Sequence, residues 1–353
     1  MNRSAVATIA SLLLIWMCSS GCYYGHLVAG QTRLLWGRTP MPEMIESPAT
    51  SPELRSQLET IEQARIFAQG LGLDVDEQYT EYVAWPGDRI ITNLVVAEPL
   101  SVDSRPFRYP ILGELPYRGF FDEGRAETAA QVFVDQGYDV CLVPVSAYST
   151  LGFFSDPVTA PMLRRGKGPA VETILHEFVH ATVFVDGDAG FNESAASFIG
   201  QQGSIDFFSS DPDQAKVREQ QIHDNRLVSE EALRFREEVR TIYENASEAT
   251  DQRVREKRVR AEQEARARLS RLPLELADPE LTSKYVGLND ACLALRGTYG
   301  SDLTQHQVVF ERLDRNLPKF ISRLKEAAGR PDPRAWFFSI SLSEGSSRQA
   351  FTR

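Results

Sequence analysis

The 353-residue chain is short of cysteine, with four, and of histidine, with five. Four cysteines exclude a disulfide-dense scaffold, because such folds need several bridges to replace a hydrophobic core. Cations are outnumbered as well: 38 Lys and Arg against 49 Asp and Glu give a formal charge of -11 and a pI near 5.1. A nucleic-acid partner is thereby set aside, since phosphate binding draws on clustered Lys and Arg. There is no internal repeat, and no segment after the N-terminus approaches the roughly 20 apolar residues that cross a bilayer. With 42% hydrophobic and 25% charged residues the chain can bury a full core, as one large domain or two small lobes.

What the N-terminus does contain is an export signal: Arg3, an apolar stretch from Ala5 to Met17, then Ser19, Ser20 and Gly21. Cys22 follows directly. Small residues before a cysteine resemble the bacterial lipobox, in which the thiol is lipidated and the cysteine becomes the mature N-terminus, although Ser19 stands where an aliphatic residue is usual. The expectation is that residues 1–21 are removed and that lipidated Cys22 anchors the chain to a membrane of the cell envelope, facing the periplasm or exterior. Cys141 and Cys292 then remain. Export permits a bridge between them, but buried free thiols behave as small apolar residues and are the preferred reading.

Composition divides the rest. A helical stretch from Tyr24 to Trp36 is followed by a proline-interrupted segment and a polar helix from about Glu53 to Gly70. Two runs rich in β-branched residues, Ile90 to Ala97 and Val140 to Val145, read as strands, with a helix from about Asp122 to Gln136 between them that Gly137 stops. From about 211 to 272, strings of Arg, Glu, Lys, Gln and Ala predict a long helical hairpin broken around Asn245 to Thr250, its charged positions forming solvated faces. Two more helices are expected, Asp278 to Gly297 and Gln305 to Ala328, then a short apolar stretch from Trp336 to Leu342. The predicted class is α+β, predominantly helical: one domain over residues 22–345, with a small sheet and the hairpin.

The residues HEFVH, His176 to His180, match the pattern H-E-x-x-H. Four residues along a helix turn by about 400°, so the two imidazoles stand ~40° apart in azimuth and can reach one metal ion. Pro169 suits the first turn of that helix, and Val171, Ile174, Leu175, Phe178 and Val179 supply its buried side. With so few histidines, chance yields this match in roughly one such sequence in two hundred. A hydrolytic zinc site uses three protein ligands and leaves room for water. No cysteine lies nearby, so the third ligand is a carboxylate: Asp186, Asp188 or Glu193. A helix continuing through Val183 would carry Asp186 about 120° away from His180. Glu193 is preferred, because Gly187 and Gly190 let the chain turn back and FNESAASFIG then begins a second helix. The competing role for Glu193 is a first-turn acid, with Asn192 as the cap.

The chain also resembles the bacterial predicted aminopeptidases of the zincin type. The likeness runs from Cys22 to about Lys325 through CYY, GQTRLL, PYRGFF (Pro116 to Phe121), AYSTLGFFSDPV (Ala147 to Val158), HEFVH and FNESAASFIG. The sequence departs from the family at Ala181 and Asp186. The resemblance implies a gluzincin-like site, with one Zn2+ on His176, His180 and Glu193 and Glu177 as catalytic base, acting on a peptide or protein substrate. Tyr148, Tyr299 and His223 are candidate oxyanion donors, and Arg118 a candidate carboxylate holder whose preferred role is an internal ion pair. A metal-binding envelope lipoprotein that scaffolds without turnover is the alternative.

Overall fold

A computed structural model of the chain describes residues 23–109, 113–147, 155–248, 251–299 and 302–340. Cys22, Tyr148, the segment 1–21 expected to be removed and residues 341–345 therefore lie outside the described residues, as does the side chain of Tyr299. The class is α+β and mostly helical. The strands form three small sheets rather than one.

The two strands read from sequence pair with each other. β3 (Ile91–Ala97) runs antiparallel to β7 (Asp139–Val145), and β6 (Arg118–Phe120) pairs on its other edge. β3 is an apolar run because both of its faces are covered. Leu94 and Val96 pack on Ala126 and Ala130 of α4 (Glu123–Asp135), while Val95 and Ala97 pack on Ala291 of α11 (Asp290–Tyr299). Asp122 caps α4 by accepting from the Arg125 amide at 2.8 Å, and Gly137, at φ +85°, ends the turn beyond it. A disulfide joins Cys141 of β7 to Cys292 of α11. This corrects the free-thiol expectation: two residues 151 positions apart face each other once α11 covers the sheet.

Residues 23–36 form α1, which packs on this sheet. Two motifs quoted for the family meet there: a Cβ on Gly30 would stand 2.2 Å from the Phe121 ring, and the Phe121 amide donates to His26 Nε2 at 3.0 Å. Arg118 lies 3.8 Å over the Tyr23 ring and makes no ion pair among the described residues, so the ion-pair expectation fails.

The hairpin is present as α8 (Pro212–Glu244) and α9 (Asp251–Leu269), broken by a 3-10 turn at Asn245–Glu248. It has a small core of its own around Phe235, Val239, Ala265 and Leu269. Its charges are less free than expected, because Arg258 bonds Asp290 at 2.9 Å and Arg268 bonds Glu231 at 2.5 Å. Both helices expected after it are split. α10 (Pro279–Tyr285) stops before Gly287, and Asn289 caps α11 by accepting from the Cys292 amide at 2.9 Å. α12 (Leu303–Arg312) and α13 (Leu317–Ala328) are separated where Asp314 and Arg315 take positive φ and Asn316 caps the next helix. α14 (Pro333–Phe338) replaces the start of the final apolar stretch. No helix among the described residues is long and apolar enough to cross a membrane.

Candidate metal centre

The largest core surrounds two antiparallel neighbours, α6 (Lys167–Thr182) and α7 (Ala189–Phe207). α6 buries Ala170, Val171, Ile174, Leu175, Phe178 and Val179, which leaves His176 and His180 on its opposite, partly open side. The helix does not continue through ATVFV. Val183 is extended, and Thr182 closes the end by donating to the Phe178 carbonyl at 2.6 Å and accepting from the Asp74 amide at 2.8 Å.

The chain then reverses in six residues. Gly187 takes φ +78°, whereas Gly190 is already helical and contributes nothing to the turn. Asn192 is not the cap of α7; Asp188 is, accepting from the Phe191 amide at 3.0 Å. Asn192 instead clamps the loop from within the helix, its Oδ1 accepting from the Val185 amide at 2.9 Å and its Nδ2 donating to the Val185 carbonyl at 2.8 Å. Asp188 is fixed in turn by Arg334, which also bonds the buried Asp302 at 2.5 Å. Glu193 is thus carried one turn into α7, facing α6.

The three side chains converge. Nε2 of His176 and Nε2 of His180 are 3.1 Å apart, and the Glu193 carboxylate stands 3.4 Å from the first and 3.6 Å from the second. Ligands ~2.0–2.1 Å from a tetrahedral ion are separated by about 3.4 Å, so this triangle has the size that zinc requires. Its donor set, two imidazoles and one carboxylate, is that of a hydrolytic rather than a structural site. Among the described residues it is the only group of His, Cys, Asp and Glu able to hold a metal. Asp186 is exposed and outside it. Burial works against a charged His176, but the Glu193 and Glu177 carboxylates outweigh it and the net direction is upward. Burial likewise opposes the charged Glu193, yet hydrogen bonds from both imidazoles hold it down at about 2. The triad is therefore primed with negative charge on its carboxylate.

Glu177 lies ~100° round the helix from His176, beside the triangle and not in it. None of the described residues donates a hydrogen bond to its carboxylate. His223 sits on α8 near Glu275, 4.0 Å away, and is not part of the cluster.

Two residues at the centre carry no sequence signal. The Tyr79 hydroxyl is buried without a hydrogen-bond partner among the described residues; burial, then the charges of Glu177 and Asp156, push its phenol well up. Its backbone is at φ +56°, unusual for a bulky side chain, and its ring meets Phe178 edge-on at 5.6 Å. His306 is fully buried among Phe191, Phe198, Phe320, Phe337 and Phe338, with Nε2 3.0 Å from Ser194 Oγ beside Glu193. Burial, aided by Arg334, pushes its imidazole down to about 3, so it is a neutral brace for α7. One turn before His176 on the same side of α6, Glu172 and Thr173 line a cavity of about 220 Å³ whose far wall includes Arg218, ion-paired to Glu172.

Close approach of α7 to α6 depends on Gly200, where a Cβ would lie 2.8 Å from the Glu172 carbonyl oxygen and 3.3 Å from His176 Cβ. By helix propensity alone Gly200→Ala would gain about 1 kcal/mol. The expected result has the opposite sign, a loss of roughly 1–3 kcal/mol in denaturant unfolding, together with weaker metal retention, because Glu193 moves with α7. A stabilised variant with unchanged metal content would refute the close-packing argument.

These elements bring two histidines of an H-E-x-x-H sequence and one carboxylate together on a pair of helices. The chain belongs to the family described as "Putative aminopeptidase", whose model matches residues 22–335. That description points to peptidase activity. No curated protein and no solved structure matches the chain.

Proposed function

We propose that the protein is a zinc-dependent peptidase of the cell envelope, an aminopeptidase by its family, that cleaves peptide bonds with water. The observation that carries this reading is the triangle of His176, His180 and Glu193 with edges of 3.1, 3.4 and 3.6 Å. These residues would hold one Zn2+, which when bound lowers the pKa of water towards ~7 and polarises the scissile carbonyl. Glu177, uncommitted beside the triangle, takes the proton of the attacking water at its carboxylate and delivers it to the leaving amine. His306 and Asn192 hold α7 in register so that Glu193 keeps its place.

The envelope location rests on the signal-like segment before Cys22 and gains support from the Cys141–Cys292 disulfide, since such bonds persist in oxidising compartments. Zinc content of the purified chain, measured alongside cleavage of a peptide library with and without chelator, tests the reading. About one zinc per chain and chelator-sensitive cleavage are expected. Bound metal without any cleavage would favour the non-catalytic scaffold, and no metal at all would refute both.

A further inference from the structure

α1 has two apolar faces, and the fold uses one. Its inner face is fixed: Leu34 is completely buried, Gly30 lies against Phe121, and the Tyr23 hydroxyl donates to the Gly119 carbonyl at 3.0 Å. At 100° per residue, Tyr24, Val28, Thr32, Trp36 and Ala29 fall within about 140° of arc on the outer face. Val28 is 65% exposed there and Trp36 86%. A helix anchored on one side and apolar on the other calls for a second apolar medium.

We propose that this outer face of α1 lies on a lipid bilayer, with Tyr24 and Trp36 at headgroup level and Val28 between them. Charge is the first reason. In a chain of net charge -11, the first acidic residue is Glu43, so residues 23–42 hold no carboxylate side chain and carry Arg33 and Arg38, the latter paired with Glu81. An anionic membrane surface attracts such a segment and repels the rest of the molecule. The aromatic residues are the second reason, because Tyr and Trp favour the membrane–water interface and stand near the two ends of this face. The third is position. Tyr24 is two residues from Cys22, within ~7 Å of extended chain, and the apolar stretch Ala5 to Met17 comes just before. Whether an acyl chain or that stretch enters the bilayer, α1 is delivered to its surface. The proposal rests on the export reading and is independent of the metal chemistry.

The test uses the full chain reconstituted into phosphatidylcholine–phosphatidylglycerol vesicles containing brominated lipid, which quenches tryptophan emission at short range. In the chain from Cys22 onward, Trp36→Phe should remove a large part of the quenching, leaving Trp85 and Trp336 to report the remainder. Adding Val28→Trp to that variant should restore it. Equal quenching in the wild type and Trp36→Phe, or no recovery with Val28→Trp in a protein of unchanged circular dichroism, would overturn the proposal. So would a lipid-free dimer that Trp36→Ser dissociates, because the face would then belong to a second copy. An unacylated Cys22, detected by mass spectrometry, bears on the anchor alone, since the reporters read α1 itself. Loss of zinc or peptidase activity is likewise not expected in any of these variants.

Discussion

Glu177→Gln is expected to lower kcat on the best library peptide by about 10²–10⁴-fold, the usual worth of a positioned proton-transfer group, while zinc stays at the wild-type stoichiometry. The substitution keeps size and hydrogen-bonding capacity and removes the negative charge together with the ability to accept a proton. None of the described residues donates a hydrogen bond to the Glu177 carboxylate, and its charge reaches His176 only through space, so its loss is expected to leave the His176–His180–Glu193 triangle in place. Glu193→Gln provides the contrast. There the charge drawn towards two imidazoles is lost, and metal content should fall together with activity. A metal-loaded Glu177→Gln protein that still turns over would end its assignment as general base. An inactive wild type with full zinc would instead remove the whole hydrolytic reading, so the two failures are told apart.

The clustering of His176, His180 and Glu193 was legible in sequence because its parts obey local rules. The spacing of His176 and His180 is fixed by helix pitch, and the apolar pattern of the same helix states which side is free. Glu193 was legible for a partly different reason than the one that holds. The reversal needs Gly187, but the helix begins at Asp188 rather than Asn192, and Asn192 acts as a clamp across seven residues. Local composition can propose a cap; it cannot tell which of two good caps, Asp188 or Asn192, wins when Arg334 from the far end of the chain stabilises one of them. The splits at Gly287 and at Asp314–Arg315 were missed because helix propensity summed over a window hides a single positive-φ residue or a single competing N-cap. Tyr79 and His306 were invisible altogether. Their roles come from what surrounds them in space: an unpaired hydroxyl electrostatically coupled to Glu177, and an imidazole caged by five phenylalanines drawn from three segments.

The Cys141–Cys292 pair is the clearest long-range feature of this kind, and its removal carries the largest expected effect on stability. The bridge closes a loop of 151 residues, from a strand of the central sheet to the helix covering it. Chain entropy assigns such a crosslink a contribution of about 3–5 kcal/mol, mostly by restricting the unfolded state. The double substitution Cys141→Ala, Cys292→Ala should lose that amount in denaturant unfolding. Reduction of the wild type should reproduce the loss, and reduction of the variant should change nothing. The native arrangement should survive, because α11 keeps other ties to the sheet: Asn289 Nδ2 donates to the Val140 carbonyl at 2.7 Å, and the Asp290 amide donates to the Asp139 carboxylate at 2.6 Å. The triangle of His176, His180 and Glu193 is built on α6 and α7, outside this contact, so zinc content should remain at the wild-type value. Stability indifferent to both reduction and substitution would mean that the two thiols are not joined in the folded protein, and would take with it the support the bridge gives to an oxidising compartment.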